Sequence, residues 1–124
     1  MKSDVKYAVA YVVARSFENN STSKLAYSHA EGAYHLFLGE VDSTNIKVYD
    51  YNAQCYFSGA VTNGIAKLYH YGVSSYVEIN FNYVDNSFKG YDYNSNNHFS
   101  GNFNGNSVAL YDNETSGYYH FSVQ

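Results

Sequence analysis

The chain has 124 residues, 7 basic and 11 acidic side chains, a formal net charge of −4, no proline and one cysteine. That length makes a single domain, 1–124, and 16 Tyr with 8 Phe supply a core, so a disordered polyelectrolyte is excluded. The acidic balance argues against a nucleic-acid partner, and the lone Cys55 excludes an internal disulfide or a cysteine metal cluster.

Lys2 and Lys6 precede the apolar run 7–14 and loosely imitate a leader. Asp4 interrupts the basic part, however, and Arg15 closes the run without a cleavage motif. With no apolar stretch of about 18 residues, no membrane partner is expected and the expected location is cytoplasmic. From Val5 to Phe17, the residues Val5, Val9, Val12, Val13 and Phe17 form a helical stripe, with Asp4 as the cap and Glu18-Asn19-Asn20 as the end. A strand is the competing reading, since Val5, Tyr7, Val9, Tyr11 and Val13 alternate, but the residues between them are mostly Ala and Val. Thr22–Glu31 reads as a second short helix closed by Gly32, making residues 1–32 a helical N-terminal segment. Ala33–Glu40 then reads as a strand with Tyr34, Leu36 and Leu38 on one side.

Residues 33–124 form an antiparallel β region with an internal repeat, approximately 43–82 and 85–124. A shift of 42 residues lays Lys47 on Lys89, Tyr49-Asp50-Tyr51-Asn52 on Tyr91-Asp92-Tyr93-Asn94, Phe57-Ser58-Gly59 on Phe99-Ser100-Gly101, and Leu68-Tyr69 on Leu110-Tyr111. Each copy predicts four strands. Asn63-Gly64 is a type I′ hairpin signal, and Gly105-Asn106 as the matching loop keeps Phe103, Gly101 and Ser100 opposite Val108, Leu110 and Tyr111. Alternation places Ile46, Val48, Phe57, Val61, Ala66, Leu68, Val77, Ile79 and Phe81 on a core face. Their counterparts there are Phe88, Phe99, Phe103, Val108, Leu110, Tyr119, Phe121 and Val123. Gly59 and Gly101 leave room for a large cross-strand neighbour or for curvature. The expected class is α+β: one helix, or two, packed on an antiparallel meander of about eight or nine strands. An all-β sandwich or barrel is the alternative.

No catalytic motif is found, so the chain is read as non-enzymatic with no cofactor and no metal site. His29, His35, His70, His98 and His120 have no ligand spacing, and Cys55 has no assignable histidine partner. Asp50 and Asp92 are expected to bond turn amides. The Asn-x-Ser/Thr triplets at Asn19 and Asn113 are expected by accident in so Asn-rich a chain.

The tyrosines are the candidate binding residues: Tyr49, Tyr51, Tyr69, Tyr76, Tyr91, Tyr93, Tyr111 and Tyr118. A large ring with a polar tip and few rotors suits an interface, and it also suits cross-strand pairing on a solvated sheet face. The expected function is docking of another protein, or of a second copy as a homodimer, through this face or an exposed sheet edge. A glycan-binding module with two similar Tyr/Asn/Asp sites is the alternative.

Overall fold

The computed structural model describes residues 1–18 and 22–124. It contains helix α1 (Ser3–Phe17) and strands β1 (Leu25–Ser28), β2 (Ala33–Val41), β3 (Asn45–Asp50), β4 (Cys55–Thr62) and β5 (Ile65–His70). Strands β6 (Ser75–Asn82), β7 (Ser87–Asp92), β8 (Asn97–Asn104), β9 (Ser107–Asp112) and β10 (Gly117–Val123) follow. Every strand pairs antiparallel with its chain neighbour, and β1 pairs with β10 to close a ten-stranded barrel. This corrects the open sheet of eight or nine strands and matches the barrel alternative. It also removes the exposed sheet edge expected as a docking element, because each strand is bonded on both sides.

Helix α1 does not lie on a sheet face; it runs through the lumen. Residues 5–14 are all buried, including Tyr7, Ala10 and Tyr11, which lie outside the expected stripe. A helix that is apolar all round belongs inside a protein, and a ten-stranded barrel is wide enough for a cylinder of about 10 Å. The run that imitates a leader is therefore the filling of the barrel. Tyr11 stacks on Phe37 with centroids 4.5 Å apart, and Phe17 meets Phe81, Tyr83 and Phe103 at one mouth. Lys2 occupies the N-cap position without a side-chain cap, while Asp4 sits inside the first turn rather than capping it. Glu18 ends the helix by donating its amide to the Ala14 carbonyl, and Asn19 and Asn20 lie outside the described residues, as does the triplet at Asn19.

The second helix expected over Thr22–Glu31 is absent from the described residues: the segment forms β1 and a turn into β2. Here pairing overrode a weak local signal, since Leu25–Ser28 bond both β2 and β10. Strand β2 follows expectation, and its Tyr34, Leu36 and Leu38 share the outer face while Phe37 points inward and His35 is half-buried.

The inward residues of both repeats are buried as alternation demands, with Tyr119 only half-covered. Asn63 and Gly64 both have positive φ (53° and 76°), as type I′ needs, and Thr62 faces Ile65 across them. In the second copy Asn104 faces Ser107, so Gly105-Asn106 is the loop. Gly59 and Gly101 serve curvature. A Cβ on Gly101 would lie 1.9 Å from the Ala109 carbonyl oxygen, so only glycine lets the strand bend so close to its neighbour.

Candidate functional site

The 42-residue repeat is itself two hairpins. Asp50, His70, Asp92 and Asp112 end β3, β5, β7 and β9 at one mouth, where the helix N-terminus also lies, and all four are buried. Each bonds the turn that follows. The Asp50 carboxylate accepts the Asn52 and Ala53 amides at 2.9 and 3.0 Å, Asp92 accepts Asn94, and Asp112 accepts Glu114. His70 Nδ1 accepts the Val73 amide at 3.3 Å. The two aspartates expected to cap turns do so. Three carboxylates around the helix N-terminus also complement its partial positive charge. The Asp112 carboxylate receives the Met1 amine at 3.1 Å and lies 3.8 Å from Lys6 Nζ. Burial works against the charged Met1 amine, but its bonds to Glu114 and Asp112 outweigh that and raise its pKa.

Two histidine arrangements at this mouth resemble chemical machinery. His35 is held by Asp50 (Nδ1 to Oδ2, 2.7 Å), stacks on Tyr7 at 3.6 Å, and turns Nε2 toward Asp4 at 4.0 Å. Its second nitrogen thus faces a carboxylate of the helix first turn, and the imidazole ties α1 to β2 and β3. Cys55 does have a histidine neighbour, since its Sγ lies 3.9 Å from His70 Nε2. Burial raises the thiol pKa and lowers that of His70, so both groups are held neutral, the reverse of an activated thiolate–imidazolium pair. Among the described residues no group of three or more His, Cys, Asp or Glu side chains could hold a metal ion.

The outer wall at the same mouth carries the candidate tyrosines. Tyr49 packs against Tyr51 and Tyr56 with centroids 4.9 and 4.8 Å apart. Tyr69 repeats this with Tyr71 and Tyr76, and Tyr91 with Tyr93 and His98. Tyr111 meets Tyr118 at 4.9 Å, and Tyr27 meets Tyr34 at 4.6 Å on the first hairpin. All five hairpins therefore contribute to one aromatic belt around the mouth. In the three full trios a half-buried strand tyrosine (49, 69 or 91) supports an exposed turn tyrosine (51, 71 or 93) and an exposed cross-strand ring. Lys47 lies over Tyr56 at 5.1 Å and Lys67 over Tyr76 at 5.5 Å, within cation–π reach. Sequence reading missed Tyr27, Tyr34, Tyr56, Tyr71 and His98. The hairpin register was the available signal, since it sets Tyr56 opposite Tyr49 and His98 opposite Tyr91.

Among the described residues, no helix is long and apolar enough to cross a membrane. The outward mid-strand positions carry Lys47, Lys67, Glu78 and Lys89, whereas a bilayer-spanning barrel presents an apolar band there. Comparison of the chain with protein-family models, with curated proteins and with solved structures returned no match. The class is thus defined by geometry alone: an up-and-down antiparallel barrel of ten strands around a threaded helix.

Proposed function

We propose that this is a non-catalytic binding protein that docks another protein, a second copy of itself included, through the aromatic belt around the helix-entry mouth. The lumen is filled by α1, so the surface available to a partner is the outer wall. The observation that carries the reading is the position of the turn tyrosines. Tyr51, Tyr71 and Tyr93 are 49%, 57% and 44% exposed, and only their backbone amides, which bond Leu36, Tyr56 and Tyr76, take part in strand pairing, so pairing does not require their rings. Pairing does benefit from the rings behind them, which hold the exposed ones rigid. Large apolar area with little entropy to lose is what an interface uses.

Sedimentation over a range of concentrations, with affinity capture by wild type and by the Tyr51→Ser/Tyr71→Ser/Tyr93→Ser variant, tests this. The expected result is a self-associated species, or a captured protein, that the variant loses while its melting curve is unchanged. A strict monomer that captures nothing would overturn the reading, and so would a variant that binds as well as wild type.

A further inference from the structure

We infer that the outer wall also carries a saccharide-binding groove across β6, β7 and β8, distinct from the exposed trio rings at the turns. It has a volume of about 830 Å³ and runs from the β6–β7 turn to Tyr118 on β10. The barrel register orders its floor into two cross-strand rows. Asn80, Lys89 and Ser100 are successive partners, as are Asn82, Ser87 and Asn102. Among the described residues, the side chains of Asn80, Asn102 and Ser100 make no hydrogen bond, and Lys89 makes no ion pair. Asn82 uses only its carbonyl oxygen, which accepts the Val84 amide at 3.0 Å.

Three planar amides and a hydroxyl in register suit a polyol, because one carboxamide both donates and accepts and so bridges adjacent sugar hydroxyls. Tyr83 and Tyr118, 54% and 64% exposed, stand at the two ends and offer faces for the C–H side of a ring. Adjacent strands are about 4.8 Å apart, close to the length of one pyranose, so an oligosaccharide laid across the strands places about one ring per strand. Strand addition by a peptide has no counterpart here, since the closed ladder leaves no backbone edge. Among the described residues, Lys89 is the only charged side chain lining the groove. The ligand class is therefore an acidic oligosaccharide, its hydroxyls on the amides and a carboxylate on Lys89.

The repeat supplies an internal control. Lys47 and Ser58, cross-strand partners in the first copy, stand where Lys89 and Ser100 stand in the second. The groove there is smaller, about 440 Å³, and has Asn45 as its one amide, so it binds more weakly.

Titration of the intact, isotope-labelled chain with a galacturonate tetramer, and with the neutral galactose tetramer, tests the assignment by amide shifts. The expected result is shifts centred on Asn80, Asn82, Lys89 and Asn102, with the acidic tetramer bound several-fold more tightly. Asn80→Ala/Asn102→Ala, both at exposed positions, should weaken binding at least fivefold, and Lys89→Gln should abolish the preference for acid. The Tyr51→Ser/Tyr71→Ser/Tyr93→Ser variant should bind as wild type, which separates this site from the turn tyrosines, although Tyr118 belongs to both the groove and the belt. Absence of shifts with either sugar up to about 10 mM, well above millimolar dissociation constants, would overturn the proposal. So would binding that survives the double asparagine variant, and equal affinity for the two tetramers would overturn the acidic class.

Discussion

His70 stands where three of the other four hairpins place an aspartate and the first places Ser28, and its chemistry differs accordingly. Its ring is fully buried beside Cys55 and bonds the Val73 amide through an unprotonated Nδ1. Burial lowers its pKa below the ordinary 6.5, against the pull of Asp4, Asp50 and Asp92. The unfolded chain therefore takes up a proton that the folded one refuses, and stability falls as pH drops below about 6.5. Wild type should be less stable at pH 5.5 than at pH 7, by no more than the value of one proton, about 1.4 kcal/mol per pH unit. In His70→Asn an amide oxygen can still accept the turn amide, so urea melts at the two pH values should show most of that loss gone. An unchanged pH dependence would mean His70 titrates as freely folded as unfolded. The same residue shows how far sequence reading reached at this scale: the aspartate turn bonds followed from local chemistry, whereas the approach of Cys55 to His70 needed the β4–β5 pairing that brings their strands together.

At the level of the element, α1 is the informative case. Its apolar residues support a helix, yet a helix on a sheet face and a helix inside a barrel make different demands on small side chains. Ala8 lies on the side of α1 away from Ala10 and Ala14, and all three are buried, because the wall surrounds the helix. Ala10→Leu should therefore overpack the lumen and cost about 2 kcal/mol, read as a lower urea midpoint. Tolerance of leucine there would point to an open side of the helix. The contiguous apolar run Tyr7–Ala14 carried this information, since a helix with one exposed face needs polar residues along it. The strand elements were legible for a simpler reason. Period-two alternation and the Asn63-Gly64 and Gly105-Asn106 turns act within a few residues, so Leu68, Leu110 and their neighbours could be assigned to the buried side directly.

For the whole molecule, closure is the weak point. Eight of the ten ladders join hairpin or chain-adjacent strands of five or more paired residues, but the seam depends on β1, which pairs at three positions with β10 and four with β2. Ala26 and Val123 must meet across nearly the full chain, which costs loop-closure entropy and leaves few bonds to offset it. Hydrogen exchange should accordingly be fastest, among strand amides, at Leu25, Ala26 and Tyr27, and slowest in β4 through β9. Uniform protection around the ring would show the seam to be as strong as the hairpins. The aromatic belt also belongs to this scale, because it becomes continuous only when the first hairpin closes against the last.

By itself the sequence favoured a helix over a strand for residues 5–17 and determined the two-residue turns, the side of each repeat strand that is buried and the outward placement of the repeat tyrosines, since each depends on periodicity or turn chemistry within a single hairpin or helix. Tertiary structure alone decided that Leu25–Ser28 is a strand, that the sheet closes, and that the helix threads it. The run Tyr7–Ala14 shows that the helix is covered all round, but what covers it rests on β1 bonding β2 and β10 at once, a pairing across the chain that no local pattern encodes.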